Sequence, residues 1–402
     1  MNYFKQFLSA IAILFLNSAN AQFWQQISDF PSTERDDGIS FTIGSTAYCG
    51  TGLNPWFSSC NDFYSFNMNT DSWDTISGLP SGMERQYSTG FSSSESGFLF
   101  GGINGNSNLN DVWKYNPLLN TWEIKTALPA EGRGGSSVVV INNIAYIIGG
   151  RTSFEDAISD VWAYDMVNDS WESKNELPFG ARWRAAAITC NNKGYLVFGK
   201  DENDRFCREL LEYDPENDSW TEISTFPENG RTYSALQCLS DKLVLIAGLD
   251  TANTSYNDMW QFDFLTAEWQ ELTSIPTNGR RGGMCFSNAS TLYYTAGINQ
   301  ENTRIKETWK CENPTGIKTI ENPDRIKIYP NPATEIVTVD LNQFKAGKAL
   351  FCSLYNVTGQ LVYTGNIIDN KCAIDLSNYS PGLYLVRVND NQTVVTKRFV
   401  KL

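Results

Sequence analysis

The 402-residue chain contains no histidine. That absence removes His-ligated zinc and copper sites, histidine general bases and every Ser-His or Cys-His nucleophile arrangement. Positive charge is scarce as well: 31 Lys and Arg against 45 Asp and Glu leave a net charge of −14, which on average repels a nucleic-acid backbone or an anionic membrane. No nucleic-acid partner is therefore expected. The nine cysteines include no CxxC pair. Long apolar runs are missing beyond the N-terminus, so no membrane span is expected in the mature protein.

The N-terminus carries Lys5, an apolar stretch from Phe7 to Leu16, and Asn17-Ser18-Ala19-Asn20-Ala21. This order of basic region, hydrophobic region and Ala-x-Ala site reads as a signal peptide over residues 1–21, with cleavage between Ala21 and Gln22. Export permits disulfides. Cys49 and Cys60 flank one loop and could staple it, and Cys352 and Cys372 form a second candidate pair. Cys190, Cys238 and Cys285 fall in expected inner strands and read as small buried hydrophobes.

What the chain does have is a repeat. Trp24, Trp73, Trp122, Trp171, Trp220 and Trp269 recur every 49 residues, and Pro31, Pro80, Pro129, Pro178, Pro227 and Pro276 each follow by seven. A third series, Asp62, Asp111, Asp160, Glu209, Asp258 and Glu307, opens short aromatic segments such as Asp160-Val161-Trp162-Ala163-Tyr164. A fourth ends an apolar run in Gly-Gly or its remnant, from Cys49-Gly50 to Ala296-Gly297. A period of this length marks a solenoid, array or propeller, because one unit cannot bury its apolar face alone.

Within residues 133–178, Ser136 to Ile141 and Ile144 to Ile148 read as a hairpin across Asn142-Asn143. Asp160 to Asp165 and the segment around Trp171 supply a third and a fourth strand. Four antiparallel strands per unit describe a propeller blade, and small inner residues such as Ala185-Ala186-Ala187 fit its taper toward a channel. The tryptophans then read as glue between blades. Trp24 stands in a fourth strand with no first three before it, and the seventh place in its series falls on Lys318. The N-terminal strand is therefore expected to complete the last blade, closing a six-bladed ring without a long exposed edge.

The Gly-Gly, the aromatic third strand and the tryptophan of the fourth resemble the kelch repeat, over residues 22–311. The resemblance implies fold more than function, since kelch propellers include enzymes, adhesins and partner-binding modules. The galactose-oxidase type needs a histidine-held copper that this chain cannot supply, whereas the six-bladed sialic acid epimerases need no metal. After an expected linker at 312–324, residues 325–402 resemble the type A C-terminal sorting domain of the type IX secretion system of Bacteroidetes. The residues that carry this are Ile328-Tyr329-Pro330-Asn331-Pro332, Leu354-Tyr355-Asn356-Val357-Thr358-Gly359-Gln360, Asp375-Leu376-Ser377, Pro381-Gly382-Leu383-Tyr384 and the terminal Lys397-Arg398-Phe399-Val400-Lys401-Leu402. Their strand pattern reads as a small Ig-like β-sandwich. The resemblance implies the type IX machinery as a partner and secretion or attachment at the cell surface.

Strand order places the fourth-to-first and second-to-third connections on one face, where function is expected. Arg35, Arg85, Arg133, Arg182, Arg231 and Arg280 recur at its mouth. Six guanidinium groups there could hold a carboxylate or sulfate bidentately, with Trp183, Tyr87 and Tyr233 offering faces to sugar rings. The same arginines could instead pair with Asp or Glu of a neighbouring loop. The leading expectation is a secreted or surface binding protein for a glycan or protein ligand, with no cofactor. A second is a metal-independent carbohydrate epimerase or mutarotase, in which Glu155, Asp201 or Glu202 moves protons. A third is a purely structural role in a surface layer. The Asp201-Glu202-Asn203-Asp204 loop lacks the spacing and Gly of an EF-hand and reads as solvated, and the Gly runs lack the helix that would make them phosphate cradles.

Overall fold

A computed structural model describes residues 24–153, 156–315, 326–341, 351–356, 361–367, 370–389 and 394–402. The expected signal peptide and its Ala21/Gln22 junction lie outside these residues. The described residues form two compact units, one ending at Thr315 and one at the C-terminus, and contain strands but no helix.

The first unit holds six four-stranded antiparallel sheets. Their inner strands are Ile39–Ile43, Thr89–Ser92, Ser137–Ile141, Ala186–Cys190, Ala235–Leu239 and Met284–Ser287. Each packs against the inner strand of the next sheet, and the sixth packs against the first. These are the six blades, numbered here in chain order.

The sixth is closed by the N-terminus: Trp24–Ile27 pairs antiparallel with Thr308–Glu312, Trp24 opposite Cys311 and Ile27 opposite Thr308. The Thr308–Glu312 strand runs one residue into what composition reads as linker. Side-chain hydrogen bonds repeat around the ring. The indoles of Trp73, Trp122 and Trp171 each donate to the backbone oxygen 45 residues earlier, on Ser28, Ser77 and Thr126. Trp24 donates to Thr273 at 2.8 Å, which is the oxygen a tryptophan at Lys318 would reach. Trp220 and Trp269 lack such a partner.

The inner strands enclose a channel of about 530 Å³ lined by small and apolar residues and by hydroxyls, with no charged side chain. Many of those hydroxyls are spent between blades: Ser92 donates to the Thr42 oxygen, Ser137 to Ala185 and Ser40 to Cys285, at 2.7 to 2.8 Å. An inner strand of larger residues would fill this space and break these bonds.

The cysteines depart from expectation. Cys190 and Cys238, assigned from the sequence as buried hydrophobes, form a disulfide that ties the inner strands of blades four and five. Adjacent inner strands lie side by side about one repeat apart, with Val140 bonded to Thr189 at a separation of 49, Ser137 to Ala185 at 48 and Cys190 to Cys238 at 48. The two pairs suggested by the sequence are not bonded. Cys49 is buried in the strand Thr46–Gly50, whereas Cys60 turns back to the Ser58 oxygen on the loop. Cys352 and Cys372 remain thiols, hydrogen-bonded to each other inside the second unit. Reducing the Cys190–Cys238 bridge releases a long loop in the unfolded chain and should lower stability by about 2 to 4 kcal/mol. Urea unfolding with and without a reductant, repeated on Cys190→Ser, reads this directly; identical midpoints would show the bridge to be without effect.

The second unit is a sandwich of a three-stranded sheet, Ile326–Tyr329, Ile336–Leu341 and Lys371–Asp375, and a four-stranded one, Leu361–Asn366, Phe351–Tyr355, Gly382–Asn389 and Val394–Lys401. Val337, Val339 and Ile374 from the first meet Leu354, Val386 and Phe399 from the second in one core. The Pro330-Asn331-Pro332 motif has a structural task. Asn331 accepts from the Val400 N–H at 2.9 Å, and Ala333 bonds both Val400 and Leu402 at 2.8 Å, so the motif fastens the chain's end.

Candidate functional site

The six repeating arginines do not form a ligand collar. All are buried, at 0 to 2% exposure. Each meets the carboxylate of the third-strand series in its own blade: Arg35 with Asp62, Arg85 with Asp111, Arg133 with Asp160, Arg182 with Glu209, Arg231 with Asp258 and Arg280 with Glu307. The Arg35, Arg85 and Arg231 pairs are bidentate, with N···O distances of 2.6 to 2.9 Å. Most of the same carboxylates also accept from the third-strand aromatic, as Asp111 does from Trp113 at 2.7 Å and Asp258 from Trp260 at 2.8 Å. Burial alone would raise the Asp62 carboxyl, but the Arg35 contact outweighs it and holds the group below its usual range. These arginines fasten the two long connections of a blade to each other and are buried against their carboxylates, with only Arg231 Nε and Arg280 Nε lacking a partner among the described residues.

One residue later the chain enters the mouth of the channel. Asp36, Gln86, Gly134, Trp183 and Thr232 bridge to Leu53, Ile103, Arg151, Lys200 and Leu249 of the second connection, and Arg281 pairs with Ile298. The next residues, Asp37, Tyr87, Gly135, Arg184, Tyr233 and Gly282, all have φ between 56° and 69°. Each donates its N–H to the carbonyl of the equivalent residue one blade back, and Asp37 donates to Gly282, so six backbone hydrogen bonds of 2.7 to 3.5 Å encircle the channel. Glycine takes this left-handed backbone without strain and Asp tolerates it, whereas Tyr87, Arg184 and Tyr233 lose roughly 1 to 2 kcal/mol each. The repeat supplies glycine twice. A Cβ on Gly135 would lie 2.6 Å from the Trp183 indole nitrogen, and one on Gly282 2.7 Å from Asp37 Oδ1.

The four non-glycine positions converge. The Arg184 guanidinium lies 4.0 Å from the Tyr87 ring, 3.9 Å from Trp183 and 3.8 Å from Tyr233. Burial lowers its affinity for the proton. Asp37 is bonded to Tyr87 and faced by Asp36, Arg184 and Arg281; burial, then the Asp36 charge, push its carboxyl up to about 7. The Tyr87 hydroxyl is raised in turn, by burial and by Asp37. Asp36 carries Arg304 at 2.6 Å and Arg281 at 3.9 Å. Arg151 lies 5.3 Å from the Trp183 ring.

Four buried polar atoms at this mouth, Gln86 Oε1, Arg151 Nε, Trp183 Nε1 and Arg184 Nε, have no hydrogen-bond partner among the described residues. Buried polar groups without a partner are uncommon in a folded protein, and three donors beside one acceptor are what a bound polar molecule would satisfy. Strain, orphaned donors and a carboxyl displaced toward neutrality thus coincide at one place.

Of the expected ligand residues, the structure brings together Tyr87, Trp183 and Tyr233 and removes the six arginines. Of the expected acid-base residues, Asp201 is tied to Arg205 at 2.9 Å and to two turn N–H groups; burial would raise it, but these bonds lower it. Glu202 accepts from the Ala181 N–H at 2.9 Å. Glu155 lies outside the described residues. Asp37, Arg184, Arg151, Arg281 and Arg304 were missed, because they break the repeat and do not follow it.

Three family models match the chain: the KLHDC2/KLHL20/DRC7 Kelch-repeats domain over residues 13–177, the Attractin/LZTR1 beta-propeller over 124–315, and the Secretion system C-terminal sorting domain over 327–402. The chain is a kelch propeller followed by a type IX sorting domain. That tail marks the kelch protein for export by type IX secretion to the cell surface or the extracellular space. The solved structure of YjhT is similar to it in fold, with a TM-score of 0.62 and 18% identity, covering 70% of this chain and 95% of that one. The ulvan lyase NLR42 of Nonlabens ulvanivorans is 32% identical over 78 residues. The match spans 19% of this chain and 14% of that protein. Among the described residues no helix is long and apolar enough to cross a membrane, and no three acidic or Cys side chains converge on a metal site.

The Asp37 carboxyl gives the mouth a pH signature. Its folded pKa, near 7, lies above the ordinary 3.8, so the native state holds a proton that the unfolded chain releases between these values. The associated stability is complete below about pH 4 and is lost as pH rises through about 7. Asp37→Asn should come nearest the wild type at pH 4 and gain on it progressively, most at pH 8. Urea midpoints at the two pH values measure this, and an equal difference at both would mean that Asp37 titrates normally.

Proposed function

We propose that this exported propeller binds an acidic glycan at the mouth of its long-loop face. The observation that supports this reading is the Arg184 guanidinium held among Tyr87, Trp183 and Tyr233 on a strained ring of backbone, with donor atoms of Arg151, Trp183 and Arg184 unused. A carboxylate or sulfate matches those cations, and a sugar ring matches the half-buried aromatic face beside them. In a chain of net charge −14, such a local positive cluster favours one anion at one place over general attraction. Trp183→Ala and Arg151→Ala should each weaken the binding of a uronic acid sugar at least tenfold by calorimetry while leaving the thermal midpoint in place. Wild-type affinity in both would reject the site.

A second reading, carbohydrate epimerisation or mutarotation without metal, is favoured by Asp37, a carboxyl near neutrality bonded to a tyrosine. A group with that pKa can both accept and return a proton at neutral pH. NMR exchange between sugar anomers on adding protein, abolished in Asp37→Asn, would support it. Binding without exchange leaves the first reading alone.

A further inference from the structure

Four of the six second-to-third connections share one tight loop, and the repeat therefore supplies its own control. Asn54, Asp201, Asp250 and Asn299 occupy the first position. In each, the side-chain Oδ1 accepts the N–H groups two and four residues later, as Asn54 does from Trp56 and Ser58 at 3.0 Å. The fourth residue takes a left-handed backbone every time: Phe57, Asp204, Asn253 and Asn302 have φ of 58° to 62°. Asp and Asn accept that conformation readily, while a bulky aromatic is an outlier there. The third position is Asn203, Ala252 and Glu301 in three loops and Trp56 in the first. Trp56 and Phe57 are 72% and 77% exposed, and no other tryptophan or phenylalanine among the described residues of the propeller is exposed.

Blade one thus carries, on a loop whose form polar residues satisfy elsewhere, two large aromatics in water, one of them strained. Neither feature helps folding. A cation–π contact with Arg304 at 4.9 Å engages Phe57 and contributes only about 0.5 to 1 kcal/mol at an exposed site. It leaves Trp56 unexplained. Arg304 is informative for another reason: it also bonds Asp36 in the channel mouth at 2.6 Å, which makes the aromatic tip and the mouth contiguous. The loop is held by its own hydrogen bonds, with Phe57 N bonded to the Asn54 oxygen at 3.0 Å and Leu53 bridged to Ser59. A ligand would therefore order little on landing there.

We propose that Trp56, supported by Phe57, is a second sugar subsite, and that the ligand of the mouth is an acidic oligosaccharide long enough to reach from Arg184 to blade one. This rests on the glycan reading of the mouth. The apolar face of a pyranose packs on the exposed indole, while the charged residue of the chain occupies the cationic mouth.

The test compares D-galacturonic acid with tetragalacturonate by calorimetry on the full chain. Wild type should bind the tetramer at least tenfold more tightly than the monomer. Trp56→Ala should abolish that difference without changing monomer affinity, and Trp56→Phe should restore most of it. Trp183→Ala should weaken both ligands. If the wild type binds both equally, or Trp56→Ala keeps the difference, the subsite is refuted and the mouth stands. If the wild type binds neither, the glycan reading itself fails.

Discussion

Deleting Trp24–Ile27 should leave the propeller unable to close, with a loss of stability larger than any single substitution gives. Four residue pairs with Thr308–Cys311 disappear, as does the indole bond to Thr273. The Trp24 ring also leaves a cluster that includes Cys311, Leu272 and Trp309. Burial of one tryptophan corresponds to roughly 4 to 6 kcal/mol as an upper bound from its area. The deletion also bares the edge of Thr308–Glu312, a row of unpaired backbone groups that invites pairing with a second chain. The expected result is a thermal midpoint lower by roughly 10 °C or more, together with dimers or aggregates in sizing chromatography. Trp24→Phe keeps the strand and loses the indole bond, so its effect should be about 1 kcal/mol. A truncated protein that stays monomeric with an unchanged midpoint would contradict ring closure by the N-terminus.

Closure was legible in the sequence because it is a property of phase. Trp24 has the spacing of its series but no preceding strands, and the pairing with Thr308–Glu312 and the bond to Thr273 place it where Lys318 would fall. The inner strands were legible for a related reason: taper demands small residues, and the chain shows them. The arginine pairs were half legible. Two series of opposite charge, 26 or 27 residues apart in every repeat, lie in the sequence, but spacing alone does not say whether a guanidinium faces a carboxylate or water. That depends on how the two connections fold over each other, which brings Arg231 within 2.6 Å of Asp258 and removes it from solvent.

The site was hidden for the opposite reason. Tyr87, Arg184, Tyr233 and Asp37 stand at a backbone position where Gly135 and Gly282 show what the fold prefers, and a search for regularity discards such exceptions. Trp56 and Phe57 are likewise visible only against Asn203-Asp204, Ala252-Asn253 and Glu301-Asn302. In a repeat protein the periodic residues describe the scaffold, and the residues that depart from the period at a strained position are the ones on which the proposed site rests. The Cys190–Cys238 bridge could have been inferred from the same phase argument, since cysteines 48 apart on adjacent inner strands face each other.

Arg231→Ala separates scaffold from site most sharply. Arg231 is fully buried, bidentate to Asp258 at 2.6 and 2.7 Å, bonded to the Ala247 oxygen at 3.2 Å and stacked 3.7 Å from the Tyr256 ring. Truncation leaves the Asp258 carboxylate partly buried beside a cavity, with only Trp260 as a donor. Breaking a buried pair from one side typically destabilises by about 3 to 5 kcal/mol, and the midpoint should fall by roughly 10 °C. Arg231→Lys restores charge but not the two-pronged geometry, so it should recover only part of the loss. Arg151→Ala is the contrasting variant: its side chain lies at the mouth beside Trp183, so the midpoint should hold while glycan affinity falls. Should Arg231→Ala instead keep its midpoint and lose affinity, the repeating arginines would be the ligand collar after all, and the mouth around Arg184 would lose its claim.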